Sequence, residues 1–136
     1  MGVVVDTSAL VALERADAGW DLLLEEHRGD VVAIPAIVLA ELLVGVELAR
    51  GRKAERKRAS VEALVQRASL IEFGREIAEG WSQLFAALSR RGQLIPANDI
   101  TVAATALHLD FDLVVGHEDE AHFRRIPDLR VELLTV

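Results

Sequence analysis

Four acidic positions stand where acids are unusual. Asp6 ends the apolar run Val3-Val4-Val5 and is followed by two hydroxyls, Thr7 and Ser8. Glu41 lies inside the apolar stretch Ala36-Ile37-Val38-Leu39-Ala40-Glu41-Leu42-Leu43-Val44. Asp99 follows Pro96-Ala97-Asn98 and precedes Ile100-Thr101-Val102-Ala103-Ala104. The fourth belongs to Glu118-Asp119-Glu120, just past the run Leu113 to Gly116. Taken singly, Asp6 and Asp99 read as helix caps, Glu41 as a solvated stripe and the last three as an acidic loop. Taken together, carboxylates from four segments gathered at one rim repel one another, and cations relieve that repulsion. An all-oxygen donor set suits Mg²⁺ or Mn²⁺. Two such ions about 3.5–4 Å apart activate a water and stabilise the leaving oxygen of a phosphodiester.

The elements that must position these acids follow from periodicity. Val3-Val4-Val5 and Val31-Val32-Ala33-Ile34 are short β-branched runs, the mark of strands buried on both faces. Ser69-Leu70-Ile71 and Leu113-Val114-Val115-Gly116 read as further strands, and Val131 to Leu134 as an edge strand. Helices are expected over Ala9–Arg15 with Ser8 as N-cap, and over Trp20–Arg28 capped by Asp17. Ala36–Arg50 is a helix apolar nearly all round, broken by Gly51. The basic cluster Arg50 to Arg58 is expected to be an exposed hairpin tip opening a helix that runs to about Ala68. Gly74–Arg91 is a long amphipathic helix with Ile77, Trp81, Leu84, Phe85 and Leu88 inward. Asn98-Asp99 opens a helix over Ile100–His108, and His117–Arg125 is a loop with a short helix. Strands alternating with helices imply parallel crossovers and an α/β fold, a three-layer α/β/α sandwich with a mostly parallel central sheet. In such sheets ligands bind outside the carboxyl ends of the strands, where Asp6 and the loop after Gly116 share a rim.

The totals bound the function. The 136 residues, 51% hydrophobic with 3 prolines, fit one globular domain over 1–136. The absence of cysteine excludes a disulfide scaffold, a thiolate zinc site and a cysteine nucleophile. The charge-free run Val31 to Ala40 is too short to span a bilayer, so a cytoplasmic protein with no membrane partner is expected. A formal net charge of −7 argues against a passive duplex-binding module. It permits an enzyme on nucleic acid in which bound metal neutralises the clustered acids.

Rival classes lack their signatures. A receiver-type phospho-acceptor domain needs a late lysine, and the only lysines are Lys53 and Lys57. A haloacid-dehalogenase-like phosphatase needs Asp-x-Asp, and Ser8 stands at the second position. No two glycines are two residues apart, which removes the dinucleotide-binding fingerprint. A non-catalytic module that only binds a partner protein or RNA stays open, because the fourth acid is ambiguous.

Nearly the whole chain resembles PIN-domain proteins, specifically VapC-type toxins of toxin–antitoxin pairs. The likeness rests on Val3-Val4-Val5-Asp6-Thr7-Ser8-Ala9-Leu10 and on Ile34-Pro35 with Leu39-Ala40-Glu41-Leu42 and Gly45. Asp99-Ile100, Ala103-Ala104 and Ala106 continue it, and Phe123-Arg124-Arg125-Ile126-Pro127-Asp128-Leu129-Arg130-Val131 complete it. The resemblance implies a Mg²⁺- or Mn²⁺-dependent endoribonuclease that cuts single-stranded or looped RNA. It also implies neutralisation by a cognate antitoxin, and assembly as a homodimer or as a heterotetramer or larger with the antitoxin. Asp6, Glu41 and Asp99 map onto the family's three main acids, with Thr7 or Ser8 orienting a ligand. The family often has Thr-x-Asn or Thr-x-Asp after the fourth strand. Here Gly116-His117-Glu118-Asp119 puts His117 in place of the hydroxyl and Asp119 at the acid, with Glu120 or Glu118 as alternatives. His122 stands where many members carry Asp before the Phe. Arg124 and Arg125 are candidate RNA contacts, the Arg50–Arg58 cluster is another, and the apolar face of Ala36–Val46 with helix Ala54–Ala68 is a candidate groove for an antitoxin segment.

Overall fold

The computed structural model describes all residues from Met1 to Val136. Five strands form one sheet in the order β3-β2-β1-β4-β5, and every neighbouring pair is parallel. The strands are β1 (Gly2–Val5), β2 (Val31–Pro35), β3 (Ser69–Ile71), β4 (Asp112–Val115) and β5 (Val131–Leu133). The helices are α1 (Thr7–Arg15), α2 (Asp21–Glu26), α3 (Ala36–Leu48), α4 (Gly51–Arg67), α5 (Arg75–Arg90), α6 (Ala97–Leu109) and α7 (His117–Phe123). They flank the sheet as the outer layers of an α/β/α sandwich. No helix is long and apolar enough to cross a membrane.

β1 is the central strand, and Val4 and Val5 are fully buried. Covered on both faces, it needs apolar side chains at consecutive positions rather than at alternate ones. From β1 the chain goes first to β2 on one side, and later to β4 on the other. The gap between the carboxyl ends of β1 and β4 is therefore the topological switch point, where doubly wound sheets hold ligands. Asp6 leaves β1 at that gap, its N–H donating to Val114 O at 2.9 Å. Fully buried Phe123 and Leu10 pack in the same core, joining α7 and α1 beside it.

Local details differ from the sequence reading in physically clear ways. Asp6, not Ser8, caps α1: its Oδ2 accepts from Ser8 N. Asp17 does not cap α2, whose start at Asp21 has no side-chain cap. It lies just past α1 at φ 56°, a left-handed position that Asp tolerates at helix ends. The basic cluster does lie at an exposed hairpin tip, where α3 turns back onto α4, and it fills the first turns of α4, which begins at Gly51 with no acid in its first turn. Phe85 is 40% exposed rather than inward, and stacks on Trp81 with ring centroids 5.3 Å apart. Of the apolar helix α3, only Val38, Leu42 and Val46 are buried, whereas Val44 and Leu48 are 55% and 79% exposed.

Candidate metal centre

The site is built outward from Asp6, which is 2% exposed. Its Oδ2 accepts two hydrogen bonds from Ser8, from the backbone N–H at 3.0 Å and from the hydroxyl at 2.5 Å. The same hydroxyl accepts from Gly116 N at 2.9 Å, tying the end of β4 to the start of α1. That approach demands glycine, since a Cβ at 116 would lie 2.3 Å from the Ser8 carbonyl oxygen. Burial pushes the Asp6 carboxyl up to about 7. The Ser8 bonds oppose the rise, and the nearby Asp119 and Asp99 charges add to it.

Asp99 sits in the first turn of α6, 8% exposed. Burial raises its carboxyl above the ordinary range, and the Asp119 and Glu41 charges raise it further against the bond from His122. His122 Nδ1 lies 2.8 Å from Asp99 Oδ2 and 3.9 Å from Asp119 Oδ1. Ligand atoms of Asp99, Asp119 and His122 all fall within 4.8 Å of one another.

Glu41 reaches the cluster from α3 but is half-buried, not enclosed by the apolar stretch around it. Its Oε1 accepts from Thr7 Oγ1 at 2.7 Å, and its Oε2 from Asn98 Nδ2 at 3.5 Å. Thr7 and Ser8 thus serve different acids: Thr7 holds Glu41, and Ser8 holds Asp6.

The structure separates the three consecutive acids of α7. Successive helical residues point about 100° apart. Glu118 pairs with Arg15, Glu120 accepts from Arg124 at 2.9 Å, and only Asp119 faces Asp6 and Asp99. The two arginines offered as RNA contacts are engaged within the chain. Arg124 is held by Glu120, and Arg125 Nη1 donates to Leu94 O at 2.8 Å, fixing the segment before α6.

Two residues here were not read as site residues from the sequence. His122 figured only as a departure from a family pattern, and Asn98 only as a neighbour of Asp99. Their signals were the i, i+3 spacing from Asp119 to His122 and the Asn-Asp pair itself, and neither means anything until α6 and α7 are brought together.

The donors fit a divalent cation. Adjacent ligands of an octahedral ion with bonds near 2.1 Å stand about 3.0 Å apart, and opposite ones about 4.2 Å. The ligand atoms of Asp99, Asp119 and His122 lie within 4.8 Å of one another, compact enough to share one such ion if it displaces the proton between His122 and Asp99. Neighbouring carboxylates raise the proton affinity of Asp6 and of Asp99, which is the condition a cation relieves.

Fold and site together define an α/β domain with a cluster of acids and one histidine at the switch point of a parallel sheet. The PIN domain family model matches residues 3–129, and the chain belongs to that family. A Ribonuclease VapC from Rickettsia bellii (strain RML369-C) is 32% identical over 143 aligned residues, covering 100% of this chain and 97% of that protein. Among solved structures, VapBC2 from Rickettsia felis bound to a DNA fragment of its promoter superposes with a TM-score of 0.85. It is 26% identical and covers 99% of this chain and 100% of its own. DNA-bound VapBC from Salmonella typhimurium gives a TM-score of 0.82 at 25% identity, covering 98% of each chain.

Proposed function

We propose that residues 1–136 form a single PIN nuclease domain, an endoribonuclease toxin of the VapC type held inactive by a cognate antitoxin. The observation that carries the reading is the meeting of Asp6, Glu41, Asp99 and Asp119, from four distant segments, at the carboxyl ends of β1 and β4. Buried, mutually repelling acids cost stability and have no purpose in a merely structural module. Full-length likeness to a ribonuclease of this type supports the same conclusion.

In this reading Asp6, Asp99 and Asp119 hold Mg²⁺ or Mn²⁺. Such an ion supplies Lewis acidity at a phosphodiester oxygen and acidifies a water for attack. Ser8 fixes Asp6 through two bonds to Oδ2, so that Oδ1 would be available to the ion. Glu41, positioned by Thr7 on the open side, accepts a hydrogen bond from the attacking water and orients it. Burial of Asp6 and Asp99 keeps competing solvent from that side of the centre. RNA phosphates are met by the exposed basic first turns of α4, where Arg52, Lys53 and Arg56 form no ion pair in the fold, rather than by Arg124 or Arg125. The exposed apolar side chains Val44 and Leu48 of α3 offer the antitoxin a docking edge. The complexes of the Rickettsia and Salmonella relatives support an antitoxin partner and an oligomeric assembly. Action in the cytoplasm, where RNA is at hand, is part of this reading.

The test is cleavage of a structured RNA by purified protein in Mg²⁺ or Mn²⁺. Cleavage should stop with EDTA and with Asp6→Asn or Asp99→Asn. Unchanged cleavage by those folded variants would overturn the reading.

A further inference from the structure

Most of the side chains that converge on the centre are carboxylates, and one is not. His122 projects from the last turn of α7 with its Nδ1, rather than its outer edge, turned into the cluster. The ring is one-third exposed, and Nδ1 shares a hydrogen bond with Asp99 Oδ2 whose proton a cation held between the two would displace. Its Nδ1 stands 2.8 Å from Asp99 Oδ2 and 3.9 Å from Asp119 Oδ1, spacings suited to donors sharing one ion. Asp119 and His122 are three residues apart on α7, so one helical face presents both.

Donor chemistry then separates the two candidate ions. Mg²⁺ is hard, keeps its waters and prefers oxygen throughout. Imidazole nitrogen is a borderline ligand favoured by first-row transition ions, and Mn²⁺ is the one among them that also suits a carboxylate-rich set. Replacing one oxygen donor by nitrogen therefore costs Mg²⁺ more than Mn²⁺. It also lowers the negative charge of the donor set by one relative to an Asp at that position, which weakens the attraction for any hard dication and removes a further advantage of Mg²⁺.

We propose that His122 is a metal ligand through Nδ1, and that it makes this centre selective for Mn²⁺ over Mg²⁺. This rests on the metal-centre reading above and adds to it the identity of a nitrogen donor. The neighbouring groups are consistent with that assignment. Asp99 and Asp119 offer oxygens within 4.8 Å of each other and of a His122 nitrogen, buried Asp6 lies near enough to feel both their charges, and Glu41 accepts from Thr7 and Asn98. No other histidine shares a cluster with these acids.

The experiment uses the full chain loaded with one equivalent of Mn²⁺, read by electron spin echo modulation and by isothermal titration, without reference to activity. Coordination by His122 should produce ¹⁴N modulation that disappears in His122→Asp and in His122→Gln, both checked for native circular dichroism. Competition titration should show the Mn²⁺/Mg²⁺ affinity ratio falling at least about tenfold in His122→Asp. Stoichiometric Mn²⁺ that is lost in Asp99→Asn but shows no ¹⁴N modulation would overturn the nitrogen ligand and leave the metal centre standing. A chain that binds no Mn²⁺ at all, or binds it equally well as Asp6→Asn and Asp99→Asn, would overturn both.

Discussion

Replacing Asp6 by Asn should stabilise the metal-free protein while destroying its capacity to hold a cation. The carboxyl is 2% exposed and titrates near 7 instead of 3.8, chiefly because burial disfavours its charge. The folded state therefore keeps a proton that the unfolded chain has already lost. Stability from this group is complete below about pH 4 and is lost as pH rises towards 7. At about 1.36 kcal/mol per pH unit, the loss amounts to about 4 kcal/mol by pH 8. An amide carries no charge and keeps an acceptor oxygen for Ser8, so Asp6→Asn should recover about 2–4 kcal/mol at pH 8. For a chain of this size that is about 7–14 °C in Tm. At pH 4 the gain should shrink to less than about 1 kcal/mol. Scanning calorimetry in EDTA at both pH values makes the comparison. Mn²⁺ at a thousand times its Kd should cancel or reverse the order, because it adds about 4.1 kcal/mol to the parent alone. A variant no more stable than the parent at pH 8 in EDTA would refute the cost assigned to ionising this buried carboxyl, and one that gains as much from Mn²⁺ as the parent would refute its role in cation binding.

Other substitutions probe the scaffold around it. Ser8→Ala removes the hydroxyl shared by Asp6 and Gly116 and leaves a buried N–H unpaired, so thermal unfolding should report a loss of about 2–3 kcal/mol. Gly116→Ala forces a methyl against the Ser8 carbonyl and should cost about 3 kcal/mol in denaturant titration, with cleavage lost alongside. Thr7→Val frees Glu41 and should lower RNA cleavage about tenfold while changing stability by less than about 1 kcal/mol. Arg125→Ala unties the segment before α6 and should cost about 1 kcal/mol without altering the salt dependence of RNA binding.

Much of the scaffold was legible because a parallel strand buried on both faces must be apolar at every position. Val3-Val4-Val5, Val31 to Ile34 and Leu113 to Val115 announce themselves for that reason. Strand order was not legible, since it depends on crossovers that no short pattern records. Asp6, Glu41 and Asp99 stood out because acids seldom occupy apolar runs or strand ends. Choosing among Glu118, Asp119 and Glu120 required knowing where α7 begins and how it is turned against α1 and α6. His122 lay beyond sequence reasoning for the same cause: its partner Asp99 is 23 residues away on another helix. An exposed arginine in sequence gives no sign of the carboxylate or carbonyls that hold it, as Glu120 holds Arg124 and Leu94 O holds Arg125. The acid-free start of α4 is the reverse case, a basic run that the helix dipole disfavours and that a phosphate partner would explain.

The most direct measurement is an anomalous difference map from a crystal grown or soaked with Mn²⁺. A peak bounded by the carboxylates of Asp6, Asp99 and Asp119 is the expected result. Density showing those three side chains ordered, at saturating Mn²⁺ and with no peak between them, would contradict the existence of the centre.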